Sequence, residues 1–202
     1  MIVMEMEQGT EEWHQAKLGV PSASNFKKIV TSTGAVSKQQ AGYLNELLAE
    51  RMAGHPLEGF KNGWMERGNE LEAEARDDYE WTKGIAVQQV GFVVREDGKA
   101  GCSPDGLIGD DGLIEIKCPS PGVHVSYLRA GKVPTDYFAQ VQGQLWICER
   151  QWCDFVSYHP DLPALVVRVD RDEKFIEKLE TAVLAFAKEL QIQAKILERK
   201  VA

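Results

Sequence analysis

The stretch from Ala100 to Cys118 constrains the fold more than any other. Two β-rich apolar segments, Ala100–Ile108 and Leu113–Cys118, flank Gly109-Asp110-Asp111-Gly112, a run that favours a tight reversal. They predict an antiparallel hairpin too apolar to lie on a solvated surface. Side chains alternate along a strand, so Glu115 and Lys117 share one face while Ile114 and Ile116 point into the core behind them. With the turn centred near Asp110, Asp105 stands opposite Glu115, their Cβ atoms about 5 Å apart. Two carboxylates that close repel each other unless a cation lies between them, and hard oxygen ligands favour magnesium or manganese. A lysine on the same face would hold an attacking water and stabilise its hydroxide form. The set suits metal-assisted hydrolysis of a phosphodiester. The other reading is a turn at Pro104-Asp105-Gly106 and a surface ion pair at Glu115–Lys117; the apolar flanks argue against it.

The elements around the hairpin alternate between helix and strand. Thr10-Glu11-Glu12-Trp13 opens a helix that Gly19-Val20-Pro21 breaks, and Ser22 can cap a short one through Ile29. Ser37-x-x-Gln40 is a capping-box pattern for a helix to about Met52, and Gly59 to Gly63 reads as a loop. A longer helix from Trp64 to Thr82 repeats Leu71, Ala75 and Tyr79 on one face, with Gly84 as its stop. Ile85 to Arg95 reads as a strand interrupted at Gly91. Helices follow near 123–130 and over Thr135–Cys148, then strands over Gln151–Tyr158 and Ala164–Asp170. Asp172 to Arg199 is one amphipathic helix that could pack on its own domain or form a seam between subunits. The order implies an α/β fold with a mixed central β-sheet flanked by helices. We expect one domain over 1–202: a mainly helical part (1–84), a sheet core (85–170) and a terminal helix (171–202).

Composition narrows the setting. The chain of 202 residues has a net charge of −8, which taken whole speaks against a nucleic-acid partner. Residues 61–120 hold 13 of the 31 acidic residues, so the charge is concentrated where the carboxylate pair lies. Cys102, Cys118, Cys148 and Cys153 contain no C-x-x-C pair and read as reduced thiols, and no apolar run reaches membrane-spanning length. A cytoplasmic protein is expected.

Further candidates are less specific. Glu72 could supply another carboxylate, or could merely pair with Arg76 one turn later. Gln140 and Gln144 share a helical face and could bind phosphate or water if buried. The four histidines lack metal-ligand spacing, and no phosphate-binding glycine loop or nucleophile elbow is present.

Several segments stand out in order along the chain: Glu12-Trp13-His14 with Leu18-Gly19-Val20, Ser22-Ala23-Ser24, Gly68 with Glu72 to Arg76, Cys102 to Leu107, Glu115 to Pro119, Tyr137 to Gln142 and Asp170 to Lys174. Together they resemble the phage lambda exonuclease family, also called the YqaJ-type viral recombinase family, within the PD-(D/E)xK nucleases. The resemblance implies a restriction-endonuclease-like core. It also implies a magnesium-dependent 5′-to-3′ exonuclease on linear double-stranded DNA, with manganese as a substitute and two ions per site. The 3′-ended strand would pass to a single-strand annealing protein, in the bacterial cytoplasm and from a phage or prophage gene. Asp105, Glu115 and the Ile116 carbonyl would bind metal, Glu72 would hold a second ion, and Lys117 would position the water. Gln140 would support this network. Lys17, Ser24 and Ser103, with Gln140, would take the terminal 5′-phosphate; Lys17 stands where the best-known member has arginine. A homotrimeric ring around DNA is also implied, with strongly salt-dependent binding. Rival readings are an endonuclease on the same core and a non-catalytic DNA-binding scaffold.

Overall fold

In the computed structural model residues 1–57 and 63–201 are described, and the loop expected at Gly59–Gly63 falls, at 59–62, outside them. Helix α1 (Glu11–Lys17) starts where Thr10 caps it, the Trp13 N–H donating to the Thr10 hydroxyl at 3.3 Å above two acidic residues. After the break, Ala23–Lys28 winds as a 3-10 turn instead of the expected α-helix, and Ser22 makes no side-chain cap. Helix α2 (Gln40–Ala53) begins two residues later than a Ser37 cap would start it and without the reciprocal capping box, because Gln39 occupies the cap and Ser37 Oγ accepts the Gln39 N–H. Helix α3 (Gly63–Lys83) stops at Gly84, whose φ of +64° suits a residue without a Cβ.

Two sheets form instead of one. Strands β1 (Ile2–Met4), β2 (Phe92–Val94) and β3 (Gly101–Cys102) make a three-stranded antiparallel sheet. Strands β4 (Gly106–Ile108), β5 (Gly112–Lys117), β6 (Trp152–His159) and β7 (Leu162–Asp170) make the expected mixed sheet, in that order, with β5 and β6 parallel. The segment expected as one strand over Ala100–Ile108 is divided at Ser103-Pro104-Asp105. Proline cannot donate to a ladder, so the chain leaves the first sheet there and enters the second. Ile85–Arg95 makes the same crossing in reverse: Gln88 bridges Leu107, and only Phe92–Val94 joins the other sheet.

Helices α4 (Pro121–Ala130), α5 (Thr135–Ile147) and α6 (Glu173–Val201) complete the chain. Both faces of the mixed sheet are buried along β5 and β6. Leu113, Cys153 and Phe155 belong to a large cluster with α2, α5 and α6, while Ile114, Ile116 and Val156 pack with Ala75 and Tyr79 of α3. In α5, Gly143 lets the Phe26 ring lie directly on the helix; a Cβ there would overlap it. Phe175, Ile176, Leu179, Val183, Phe186 and Leu190 of α6 are buried in the first cluster. The stripe on the terminal helix therefore serves its own chain. Among the described residues no helix is long and apolar enough to cross a membrane.

Candidate active site

The β4–β5 hairpin has the register its turn predicts. Gly106 faces Ile114, Leu107 faces Leu113 and Ile108 faces Gly112, so the next pair outward is Asp105 with Glu115. Asp105 lies at the crossing between the sheets, where the Gln8 side-chain amide donates to the Val90 and Pro104 carbonyls at 2.9 and 3.0 Å. One Asp105 oxygen accepts the Ile116 N–H at 2.5 Å, which locks the carboxylate across the hairpin.

Glu115 is 1% exposed, and three donors meet its carboxylate. Lys117 Nζ and Gln140 Nε2 donate to Oε1, and Gln144 Nε2 donates to Oε2, the two glutamine contacts at 2.5 Å. Lys117 also reaches the Ile116 carbonyl at 3.1 Å. Residues 140 and 144 lie one turn apart on α5, so one helix face supplies both amides.

Glu72 makes the expected pair with Arg76. It accepts from Arg76 at 2.7 Å, and Arg76 also donates to the Asp105 carbonyl at 3.3 Å, bringing α3 to the hairpin. Burial raises the Glu72 carboxyl, Arg76 and Lys117 oppose that, and the Glu115 charge adds to it. Burial and then the Glu115 charge push the Asp105 carboxyl well up. For Lys117, burial favours loss of the proton, but Glu115 and Asp105 outweigh it and hold the ammonium above its ordinary range.

Three carboxylates, Asp105, Glu115 and Glu72, therefore face two cations, Lys117 and Arg76. Among the described residues no three His, Cys, Asp or Glu side chains make a ready-formed metal cluster. The donors still fit a hard cation at one position: two carboxylates and a backbone carbonyl, since magnesium keeps several of its own waters. Glu72 would have to leave Arg76 to serve a second ion.

Lys17, Ser103 and Trp13 come together beside this centre. The Lys17 ammonium sits 3.5 Å from the Trp13 ring centroid, and the Trp13 indole N–H donates to the Ser103 hydroxyl at 2.9 Å. Burial lowers Lys17 from 10.5 to about 8, with Cys102 and Glu50 opposing it. Ser24 is exposed and its hydroxyl lies 3.2 Å from that of Ser22, which bridges Gly101 two residues before Ser103. The Trp13 link was not legible beforehand: the sequence shows a tryptophan on a short helix but not what its N–H meets.

The frame is a nuclease fold. An alkaline exonuclease from Laribacter hongkongensis, LHK-Exo, superposes with a TM-score of 0.87 at 39% identity, over 95% of this chain and 98% of that one. The structure of LHK-Exo in complex with dAMP gives 0.85 over the same shares, also at 39% identity. A phage-related exonuclease from Haemophilus somnus 129PT shares the fold at 20% identity, with a TM-score of 0.68 over 90% of this chain and 96% of that one. The profile of the YqaJ-like viral recombinase domain matches residues 12–151, and the chain belongs to that family. No curated protein matches it.

Proposed function

We propose that this chain is a magnesium-dependent exonuclease that degrades the 5′-ended strand of linear duplex DNA. It releases mononucleotides and leaves a 3′-ended strand for an annealing recombinase. The observation that carries the reading is the meeting of Asp105, Glu115 and Lys117 at the end of one hairpin, with carboxylates in excess of cations. The relative solved with dAMP, a deoxynucleoside monophosphate, supports mononucleotide release.

Asp105, Glu115 and the Ile116 carbonyl would hold a divalent ion, with manganese as a substitute, and Glu72 would serve a second. Such an ion lowers the pKa of a bound water and neutralises charge on the phosphate oxygens. Lys117 orients the attacking water and stabilises its hydroxide form. Gln140 keeps Glu115 oriented and offers an amide to phosphate. Lys17, Ser24 and Ser103 receive the terminal 5′-phosphate, which would set the start and direction of digestion. Processive digestion would follow from a homotrimeric ring closed around the duplex, and the setting would be the bacterial cytoplasm.

The test uses linear duplex DNA labelled at one phosphorylated 5′ end, with magnesium or with EDTA. Magnesium-dependent loss of that strand, sparing the 3′-ended strand and a closed circle, is expected. Cutting of the circle would make the chain an endonuclease; binding without cutting would make it a scaffold.

A further inference from the structure

Gln144 is a glutamine in the core, 1% exposed, within the stretch of α5 from Val141 to Ile147 that is buried all round. Its Nε2 donates to Glu115 Oε2 at 2.5 Å, while its own Oε1 is buried without a hydrogen-bond partner. Leaving a polar atom so is destabilising, and a methionine of similar volume would carry no such atom. Turning the amide over would set an oxygen against the carboxylate, so only the donor orientation is consistent with the site. What Gln144 contributes is therefore its contact with Glu115.

The two oxygens of Glu115 are held differently. Oε2 is fixed from the core side by Gln144. Oε1 is held by Lys117 and Gln140, both only half-buried, which can turn toward solvent or substrate. We propose that Gln144 is a positioning residue that pins Oε2 of Glu115, so that Oε1 is the oxygen offered to a divalent cation. This rests on the metal-binding reading above. Groups that orient a metal ligand typically change affinity 10–100-fold when removed.

The test is Mn2+ binding to the DNA-free protein, followed by electron paramagnetic resonance, with thermal unfolding measured alongside. Gln144→Met keeps the volume and removes the donor; Gln144→His keeps an N–H at similar reach. We expect Gln144→Met to weaken Mn2+ binding about tenfold or more, with some loss of thermal stability because the variant leaves Oε2 of buried Glu115 without its donor. The magnesium concentration for half-maximal cleavage should rise in parallel, and Gln144→His should restore most of both. A purely structural role would lower stability and leave metal affinity unchanged, so the affinity decides between the two. Wild-type Mn2+ affinity in Gln144→Met overturns the proposal. Should that variant not fold, Gln144→Asn, which withdraws the amide by one methylene, carries the same expectation and the same refutation. If the wild-type protein and Glu115→Ala bind Mn2+ alike, the metal reading itself fails, and this inference with it.

Discussion

Replacing Lys17 by methionine should make the protein more stable and less discriminating. Lys17 carries its charge partly out of water, and burial lowers its pKa from 10.5 to about 8. At about 1.4 kcal/mol per tenfold change in proton affinity, that is about 3 kcal/mol of destabilisation when the lysine is charged. The Trp13 face offsets about 1 kcal/mol, leaving about 2 kcal/mol. The sign follows from linkage. The folded protein loses this proton near pH 8 and the unfolded chain near 10.5, so the unfolded chain binds more protons between them and stability rises with pH there. The cost is full below pH 8 and gone above 10.5. Lys17→Met should therefore raise Tm at pH 7 by about 6 °C for a chain of this length, with the gain vanishing above pH 10. In the same variant the preference for a 5′-phosphate over a 5′-hydroxyl end should fall. Calorimetry across pH and initial rates on the two ends measure both. A variant no more stable than wild type at pH 7 would refute the account of Lys17 as a desolvated cation waiting for an anion.

Glu115→Gln and Lys117→Ala should each reduce cleavage at least about a thousandfold with unchanged circular dichroism, read by release of labelled nucleotide. On the far face of the sheet, buried Asp154 accepts from Tyr79 at 2.7 Å and from half-exposed Arg168 at 2.6 and 3.0 Å. Burial pushes the Asp154 carboxyl up, but the Arg168 and Tyr79 hydrogen bonds outweigh it and hold it below its ordinary range. Its stabilising contribution is thus present above pH 4 and lost as pH falls through the lower folded value. Asp154→Asn should cost about 2 kcal/mol and Tyr79→Phe about 1 kcal/mol in urea denaturation at pH 7, with the Asp154→Asn difference shrinking below pH 4. Gly143→Ala, by driving a methyl into the Phe26 ring, should destabilise by about 2 kcal/mol in the same assay.

Much of the site was legible because a hairpin obeys simple rules. The Gly109–Gly112 turn set the register, and the register placed Asp105 against Glu115 and Lys117 on the same face as Glu115. The helical period put Gln140 and Gln144 together. Less legible was the division into two sheets. Pro104 was the signal for it, yet both halves of Ala100–Ile108 are apolar, and periodicity cannot say that they pair with different neighbours. Strand β1 escaped notice for a related reason: three residues, two of them exposed, carry no pattern.

The long-range contacts belong to the tertiary structure alone. Nothing in the sequence around Trp13 specifies that its N–H meets a hydroxyl 90 residues away, or that Lys17 settles on its ring. The sequence likewise permitted Glu72 to pair with Arg76 or to join the carboxylates; in the folded chain it pairs with Arg76, at the side of α3 that meets the hairpin. The sequence by itself determined most of the helices, the hairpin register and the carboxylate–lysine face, because these depend on neighbours within a few residues or across one turn. Only the tertiary structure decided which amides reach Glu115, which cations offset its neighbours, and where a desolvated lysine stands, because those depend on burial shared between distant segments.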